Sequence, residues 1–370
     1  MRNKESILIM ISGAIDFIDL ENHNNWKLYK RLSSSFEKIF IISRSNEIRN
    51  YGNIHNLGIK RRNQQAKFLG FFIKLLDIWK CLTKINKISQ SFKDKNIHYL
   101  ASEATFGGVV CLFNKLFFKR NYIVEHQGIV LSLPSESYGK LNSYLIKQTS
   151  KITTIFSYKV RAVSKPIFET LVRNDIRRKK ISLIYPRYNS DIFKYYKKKD
   201  NYKNDKKNLL FVGRLVISKG LIYLIKALKN NTFYHLNIVG DGYLGNELKD
   251  YCLLNKILNV TFHGSLSSEE IYEFMKKSDL LLVPSVDEGL GRVVLEAKAT
   301  GLPVYSSYVG GLKDLFHQGL IDNTFEPASE KSIASLLKKP LPKRYKLSKD
   351  KLKDYEFETN IRKYIKFIKS

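Results

Sequence analysis

Short apolar runs alternate with longer amphipathic segments along this 370-residue chain. A short apolar run predicts a buried strand, and apolar residues recurring every three or four positions predict a helix. The predicted strands are 7–11, 40–43, 98–100, 122–125, 160–163, 181–185, 209–212, 236–239, 260–262 and 279–283. The predicted helices include one after 22–25, one opening at Ser267, and the segments 66–92, 164–174, 221–228, 243–254 and 293–300. Regular alternation of strand and helix indicates the α/β class.

In the second half of the chain, glycines and charged residues follow directly after the predicted strands. These residues are Gly213, Arg214, Lys219, Gly220, Gly240, His263 and Gly264. In an open parallel sheet, strand C-termini and helix N-termini converge at one edge, and ligands bind there. The pattern therefore predicts a ligand site at this edge, with Arg214 and Lys219 as two cations in one of its loops.

The stretch 284–296, Pro-Ser-Val-Asp-Glu-Gly-Leu-Gly-Arg-Val-Val-Leu-Glu, joins a predicted strand to a predicted helix. Gly289 and Gly291 allow the backbone to approach a ligand closely, and the helix that follows directs free N–H groups to the same place. This arrangement predicts an anion site. Glu288 at the turn and Glu296 two helical turns further on can address different parts of one extended ligand. The alternative is a glycine turn before an ordinary helix, with Glu296 solvated or capping.

A series of motifs follows in order between residues 209 and 315. They are Val-Gly-Arg-Leu (212–215) with Lys219-Gly220, Ile-Val-Gly-Asp-Gly (238–242), Val-Thr-Phe-His-Gly (260–264), Ser-Asp-Leu-Leu-Leu-Val-Pro-Ser (278–285), Glu-Gly-Leu-Gly (288–291) with Glu296-Ala297, Gly-Leu-Pro-Val (301–304) and Gly310-Gly311. The series resembles the C-terminal half of glycosyltransferase family 4, whose members are retaining GT-B enzymes that use sugar nucleotides. An ordered set of motifs is far more specific than a single glycine motif.

The resemblance implies a fold class and a division into domains. The expected fold is α/β of the GT-B type, with two Rossmann-like domains facing across a cleft. Residues 1–195 are predicted to form the acceptor-binding domain, joined by a C-terminal helix over 345–370. A lysine-rich linker is predicted over 196–207, and residues 208–344 are predicted to bind the nucleotide sugar.

The resemblance also implies roles for individual residues. Glu288 would orient the donor sugar, and Glu296 would bind the ribose hydroxyls. Arg214 and Lys219 would stabilise the departing diphosphate, since a leaving group that gains negative charge needs positive charge placed before the bond breaks. The full predicted donor site consists of Gly13, Arg214, Lys219, Gly240, His263, Gly264, Glu288, Gly289, Leu290, Gly291 and Glu296. No metal or other cofactor is expected, and the chain contains no Asp-x-Asp triplet.

Two positions in the first half are candidates for chemistry. His126 follows the predicted strand 122–125 and would project from the ligand-facing edge of the N-terminal sheet. A lone histidine is usually structural, but in the resembling family a histidine after such a strand often contacts the donor sugar. Gly13 lies in the first loop, where family members often have two adjacent glycines and this chain has Gly13 followed by Ala14.

Basic residues are in large excess, with 64 Lys and Arg against 34 Asp and Glu, a net charge of +30. The first 200 residues hold 37 basic and 15 acidic residues. Such a charge attracts nucleic acid, an anionic membrane surface or a phosphorylated substrate, and the alternative is lysines that only decorate the surface. The predicted helix 66–92 resembles a basic amphipathic surface helix, although a helix packed on a parallel sheet shows the same apolar stripe.

Three cysteines without paired spacing fit a reducing compartment. The apolar run 7–11 is too short for the core of a signal peptide, and nowhere do eighteen apolar residues follow one another. We therefore expect a cytoplasmic protein, peripheral to the inner face of the cell membrane if it binds lipid.

These observations predict a retaining glycosyltransferase of the hexosyltransferase type (EC 2.4). Its partners would be a nucleotide sugar and a glycan or lipid-linked glycan acceptor in surface polysaccharide biosynthesis, such as O-antigen, capsule or lipopolysaccharide. One alternative is a GT-B sugar-nucleotide epimerase, which needs no second substrate. The other is a basic nucleic-acid-binding protein, which we disfavour because no RNA- or DNA-reading motif accompanies the charge.

Overall fold

The computed structural model describes residues 5–13, 26–43, 48–59, 69–128, 140–198 and 206–370. The chain divides into two compact units. The first unit consists of Met1–Val163, Phe168–Ile184 and Ile361–Ser370, and the second consists of Ser164–Ile167 and Tyr185–Asn360. Each unit contains one largely parallel β-sheet accompanied by helices. The predicted α/β class is therefore confirmed.

Strands and helices alternate through both units. The strands of the first unit are β1 (Ser6–Ser12), β2 (Lys38–Ser43), β3 (Ile48–Tyr51), β4 (Ile54–Gly58), β5 (Asn96–Ala101), β6 (Tyr122–His126), β7 (Lys159–Ala162) and β8 (Ile181–Leu183). The strands of the second unit are β9 (Lys207–Val212), β10 (Tyr234–Val239), β11 (Val260–Phe262), β12 (Leu280–Val283), β13 (Val304–Ser307) and β14 (Asn323–Phe325). The helices are α1 (Trp26–Ser33), α2 (Leu69–Ser91), α3 (Phe106–Phe118), α4 (Lys140–Phe156), α5 (Lys165–Arg173), α6 (Leu221–Leu228), α7 (Gly245–Leu254), α8 (Ser268–Lys277), α9 (Arg292–Thr300), α10 (Gly310–His317), α11 (Glu330–Leu337), α12 (Lys349–Leu352) and α13 (Phe357–Lys369).

The sheet of the first unit has the strand order β3-β4-β2-β1-β5-β6-β7-β8. Its described strands pair in parallel, except that β3 and β4 are antiparallel. β1 is buried at every position and pairs with β2 on one side and β5 on the other. A strand covered on both faces needs a continuous apolar run, which explains the pattern over 7–11. The strand order reverses between β1 and β5, so the loops after these two strands meet at a topological switch point.

The sheet of the second unit has the strand order β11-β10-β9-β12-β13-β14, and all of its described pairs are parallel. This is the doubly wound arrangement in which the chain starts at the centre and works outwards in both directions. The order reverses between β9 and β12. The loops after β9 and β12 therefore leave the sheet side by side at the edge where the sequence analysis predicted a ligand.

Two apolar cores cover the two faces of the second sheet. Leu209 and Phe211 of β9 point into one core, with α6 and α11, whereas Leu210 points into the other, with α9 and α10. Successive side chains of a strand alternate between faces, so a strand buried on both sides supplies both cores. The two cores hold β9 and β12 in place and with them the loops that carry the site.

Most predicted elements of the described chain are confirmed, with ends shifted by a few residues. The segment 66–92 corresponds to α2, and its residues 66–68 lie outside the described residues. The antiparallel pair β3 and β4 was not predicted, because four or five residues with mixed polarity carry little periodicity.

The compact units are divided differently from the predicted domains. The division falls between Ile184 and Tyr185, before the predicted boundary at residue 195. Of the predicted terminal helix 345–370, Ile361–Ser370 group with the first unit, whereas the preceding residues group with the second. The predicted linker 196–207 lies partly outside the described residues, since 199–205 are not among them. The domain boundaries therefore stay a prediction.

Across the described part of the chain, no helix combines the length and the apolar character needed to cross a membrane.

Candidate active site

Lys219 and Glu288 form an ion pair at the switch point of the second sheet. Lys219 closes a short 3-10 turn, Ile217–Lys219, in the loop after β9, and Glu288 lies in the loop after β12. The Lys219 ammonium donates to Glu288 Oε2, and the Ser285 hydroxyl donates to the same oxygen at 3.3 Å. Both charged side chains are largely shielded from solvent. The sequence motifs predict these two residues in one donor site, and the structure brings their side chains into direct contact.

Backbone contacts hold the two loops together. The Val286 N–H donates to Ser218 O at 2.9 Å. Gly220 has φ +60°, and a Cβ there would lie 2.1 Å from Pro284 O. Only glycine tolerates both the positive φ and this close approach. Gly220 therefore allows the Lys219 turn to lie directly against the loop that carries Glu288.

A third segment, the start of α10, closes the other side of the Glu288 loop. The Gly311 N–H donates to Glu288 O at 2.9 Å, and a Cβ on Gly311 would lie 2.0 Å from Gly289 O. Gly291 has φ +92°, which lets the chain turn from the loop into α9. The glycines of this region thus allow neighbouring loops to pack closely. The loop that carries Glu288 is held by the loop after β9 on one side and by the start of α10 on the other.

Three helices begin around this loop without a side-chain cap. α6 starts after Gly220, α9 after Gly291 and α10 after Val309, and none of these residues accepts an N-terminal N–H with its side chain. By contrast, α8 begins with a full capping box between Ser267 and Glu270. Uncapped helix N-termini present N–H donors and a partial positive charge, which suit the phosphates of an anionic ligand.

Glu296 lies in the second turn of α9 and is 9% exposed. Its Oε1 pairs with Arg292 Nε at 3.1 Å. Burial raises the pKa of Glu296, and the guanidinium of Arg292 opposes that shift. The two carboxylates of the 284–296 stretch are thus held by two different cations, one in the loop and one on the helix. This separation suits an extended ligand with two ends, as the sequence analysis expected.

The remaining predicted donor residues line the neighbouring strand ends. Gly240 has φ +133°, and a Cβ there would lie 1.9 Å from Gly213 O. Its N–H donates to Gly264 O at 2.7 Å, so the loops after β9, β10 and β11 are joined. His263 Nε2 lies 2.9 Å from Asn237 Oδ1, and burial, followed by the charge of His235, lowers the pKa of His263. We therefore expect His263 to act as a neutral group.

Arg214 follows Gly213 at the C-terminal end of β9, and its side chain is exposed. The residues on either side are anchored, since the Gly213 N–H donates to Val239 O at 3.0 Å and the Leu215 N–H donates to Asp241 O at 2.9 Å. A fixed backbone with an exposed guanidinium can reach a bound anion without rearrangement of the loop.

The first unit has a carboxylate at its own switch point that the sequence analysis missed. Glu103 follows β5, and its Oε1 accepts from the Gly13 N–H at 2.9 Å and from the Gly107 N–H at 2.6 Å. Burial raises the pKa of Glu103 to about 7, although the two N–H donors oppose the shift. Gly13, a predicted donor residue, is therefore tied to Glu103. The signal in the sequence was an acidic residue just after a strand and just before Gly107-Gly108.

His126, expected to project from the edge of the sheet, is instead 2% exposed at the end of β6. Its Nε2 lies 2.9 Å from Thr154 Oγ1, and burial lowers its pKa to about 4. A buried neutral imidazole bonded to a helix hydroxyl fits the structural alternative. A catalytic role for His126 stays a prediction.

Among the described residues, no three His, Cys, Asp or Glu side chains are grouped as metal ligands. That the reaction needs no metal stays a prediction.

Comparison with known proteins finds a family model that matches residues within the second unit. Residues 193–355 match the family model of the glycosyl transferases group 1. One curated relative, an uncharacterized glycosyltransferase of Methanocaldococcus jannaschii, is 28% identical over 256 residues, which is 62% of this chain and 70% of the relative. Seven further curated relatives are matched over 27% to 53% of their own length.

Solved structures match the whole chain at low identity. The lipopolysaccharide outer core galactosyltransferase WaaB has a TM-score of 0.68 and 17% identity, with 98% of this chain and 99% of that chain covered. The Anabaena protein Alr3699/HepE, in complex with UDP-glucose, has a TM-score of 0.65 and 16% identity, with 97% and 94% covered. These likenesses confirm the predicted fold class of two Rossmann-like domains of the GT-B type.

Proposed function

We propose that this chain, whose residues 193–355 match the family model of the glycosyl transferases group 1, transfers a sugar from a nucleotide-sugar donor to an acceptor with retention of configuration. The second unit would hold the donor at the edge where β9 and β12 end. A hexose is the sugar class we propose. The solved complex of the structural neighbour Alr3699/HepE with UDP-glucose supports a nucleotide sugar as the donor class.

The Lys219–Glu288 ion pair among three uncapped helix N-termini is the observation that carries this proposal. A diphosphate needs several N–H donors and positive charge, and a sugar needs a carboxylate that accepts hydrogen bonds from its hydroxyls. Both kinds of group lie in loops held together by Gly220 and Gly311. Such a preorganised arrangement can stabilise charge that develops only in the transition state.

Lys219 and Arg214 would have different roles, because within the described part of the chain only Lys219 is paired with a carboxylate. Lys219 is compensated by Glu288, so it orients that carboxylate and adds little net charge. Arg214 and the helix N-termini then supply the positive potential for the departing diphosphate. Glu288 would orient the sugar and stabilise its positive charge without forming a covalent bond. The acceptor would attack the face from which the nucleotide leaves, and the leaving phosphate would assist its deprotonation.

We propose a lipid-linked glycan of surface polysaccharide biosynthesis as the acceptor, used at the cytoplasmic side of the membrane. The support is the similarity to the lipopolysaccharide galactosyltransferase WaaB and the excess of basic residues among the first 200. A lipid diphosphate presents the negative charge that such a basic surface attracts.

The proposal is tested by a panel of UDP-, GDP- and ADP-sugars in a thermal-shift assay, followed by turnover with glycan acceptors. A ligand that binds only the native state raises the melting temperature, so the true donor should stand out from the others. The anomeric configuration of the product, read by NMR, checks retention. Product formed from donor alone would indicate an epimerase, and binding of RNA or DNA in place of every sugar nucleotide would indicate a nucleic-acid-binding protein.

A further inference from the structure

Helix α4 of the first unit is amphipathic, but its polar face is buried and its apolar face is exposed. Its buried face is polar and consists of Ser143, Ser150, Thr153 and Thr154, continued by Ser157 just after the helix. Its exposed apolar residues are Leu141, Tyr144, Leu145, Ile152, Ile155 and Phe156. At 100° per residue these two sets lie on opposite sides of the helix. A helix on the surface of a soluble domain normally shows the reverse arrangement.

Hydrogen bonds within the first unit hold the two threonines of the polar inner face. The Thr153 hydroxyl donates to Ala104 O at 2.6 Å, and the Thr154 hydroxyl donates to Ser150 O at 2.6 Å. Gly108 of α3 lies so close that a Cβ there would be 3.0 Å from Thr153. Small inner residues therefore let α4 lie tightly against α3. Among the residues that the structure describes, none buries the leucines and aromatics on the outer face in the same way.

Exposed apolar residues also lie on α3, which packs against α4, and on α2, which packs against α3. The Lys115 ammonium donates to Phe156 O at 2.9 Å, which places the ends of α3 and α4 side by side. Leu116 and Phe117 at the end of α3 are 59% and 61% exposed, and Trp79 of α2 is 62% exposed. We call this surface the α2–α4 face, defined by Trp79, Leu116, Phe117, Leu141, Leu145, Ile152 and Phe156.

The same three helices are strongly basic. Their only acidic residue is Asp77, which is buried. Their lysines are Lys74, Lys80, Lys84, Lys87, Lys115, Lys140, Lys147 and Lys151. Lys151 is partly neutralised by Asp175 at 2.9 Å. A second copy of the chain would bring the same positive charge to this face, so the charge opposes self-association.

Because exposed apolar residues and many lysines lie on the same three helices, we infer that the α2–α4 face docks on a bilayer containing anionic lipid. Leucine, phenylalanine and tryptophan side chains would enter the boundary between headgroups and acyl chains, and the lysines would contact the headgroups. Tryptophan and tyrosine are favoured at this depth because their rings are apolar with one polar atom. The inference concerns a surface of the first unit and holds without donor or acceptor, so it stands apart from the proposed sugar transfer.

Co-sedimentation of the full chain with vesicles tests the inference. Binding should be strong to vesicles of phosphatidylcholine with 30% phosphatidylglycerol, weaker to phosphatidylcholine alone, and reduced by salt. Leu141→Gln with Leu145→Gln should weaken binding at least about tenfold, because two apolar side chains no longer enter the membrane. The matched control is Leu253→Gln with Leu254→Gln on α7, which removes two exposed leucines of the second unit and should leave binding unchanged.

Fluorescence locates the contact. In a Trp26→Phe background Trp79 is the only tryptophan, and its emission should shift to shorter wavelength and be quenched by brominated lipid. Circular dichroism of each variant shows that the fold is retained. The inference is overturned if the α4 pair binds as tightly as the wild type, if neutral and anionic vesicles bind equally, or if Trp79 is not quenched. It is also overturned if sedimentation velocity shows a dimer that the α4 pair dissociates.

Discussion

Lys219 and Glu288 lie 69 residues apart in the chain, yet their side chains form one ion pair between the loops that follow β9 and β12. Partners held in this way are expected to act as a unit, since the loss of either leaves the other charge without its compensation in a largely shielded position.

Coupled substitutions test the pair. Lys219→Ala and Glu288→Gln should each lower kcat by about a hundredfold, the scale of losing one electrostatic contact in the transition state. The double variant should be little worse than either single one, because residues that act together are non-additive. Steady-state kinetics on one donor measures this double-mutant cycle. Multiplicative losses would mean that the two residues work independently.

Arg214→Ala should lower transfer with little change in stability. The Arg214 guanidinium is exposed and does not pack in the core, so its removal should leave the fold stable. The loss of its positive charge near the leaving diphosphate should raise the barrier to transfer by about 3 kcal/mol, or lower the rate roughly a hundredfold. Lys331→Ala, which removes an exposed lysine of α11, serves as the control. Wild-type turnover in the Arg214 variant would place the diphosphate elsewhere.

Glu296→Ala should raise the donor KM about tenfold and leave kcat comparatively intact. Contacts made equally in the ground state and the transition state contribute to binding but not to the chemical step. Arg292 loses its partner in this variant, so Arg292→Ala is measured in parallel. A loss of kcat with unchanged KM would reverse the assignment of the sugar and ribose ends.

Gly220→Ala should destabilise the protein by more than 2 kcal/mol and abolish transfer. The added Cβ meets both a positive φ and the carbonyl of Pro284. Gly52→Ala is the matched control, because Gly52 has the same φ of +60° with nothing within 4 Å, so only the backbone strain of about 1–2 kcal/mol applies. Urea unfolding measures both variants. If both variants lose the same amount of stability, the loops after β9 and β12 can move apart to accommodate the added Cβ.

The Glu103 carboxyl should make stability depend on pH. Its pKa of about 7 in the folded protein lies above the ordinary value of 4.5. Between these values the folded state binds more protons than the unfolded state, so the free energy of unfolding should fall as pH rises from about 5 to about 7.

Glu103→Gln keeps an oxygen acceptor for Gly13 and Gly107 but cannot ionise. The free energy of unfolding of this variant, measured relative to wild type, should therefore increase by at least about 1 kcal/mol between pH 5 and pH 8. Urea unfolding at both pH values measures the difference, and Glu326→Gln, at an exposed position, is the control. A difference that does not change with pH would show that Glu103 titrates normally.

Much of the site was visible in the sequence because its information is local. The positions of β9, α6 and β11 follow from short apolar runs and apolar spacing, and these elements agree closely with the predicted ranges. Uncapped helix starts after Gly220 and Gly291 follow from the same strand–loop–helix pattern. Ordered motifs then indicated the chemistry, since each glycine and charge has a defined place in a doubly wound sheet.

The amino-acid sequence by itself thus determined the class of the fold, and it predicted the edge of the second sheet that carries the candidate site and the residue types found there. Only the tertiary structure decided which side chains meet: Lys219 with Glu288, Glu296 with Arg292, and Glu103 with Gly13. Likewise, only the tertiary structure shows that the serines and threonines of α4 are buried and its leucines are exposed. Long-range contacts depend on strand order and on the close approach of backbones, and a pattern of neighbours along the chain contains neither.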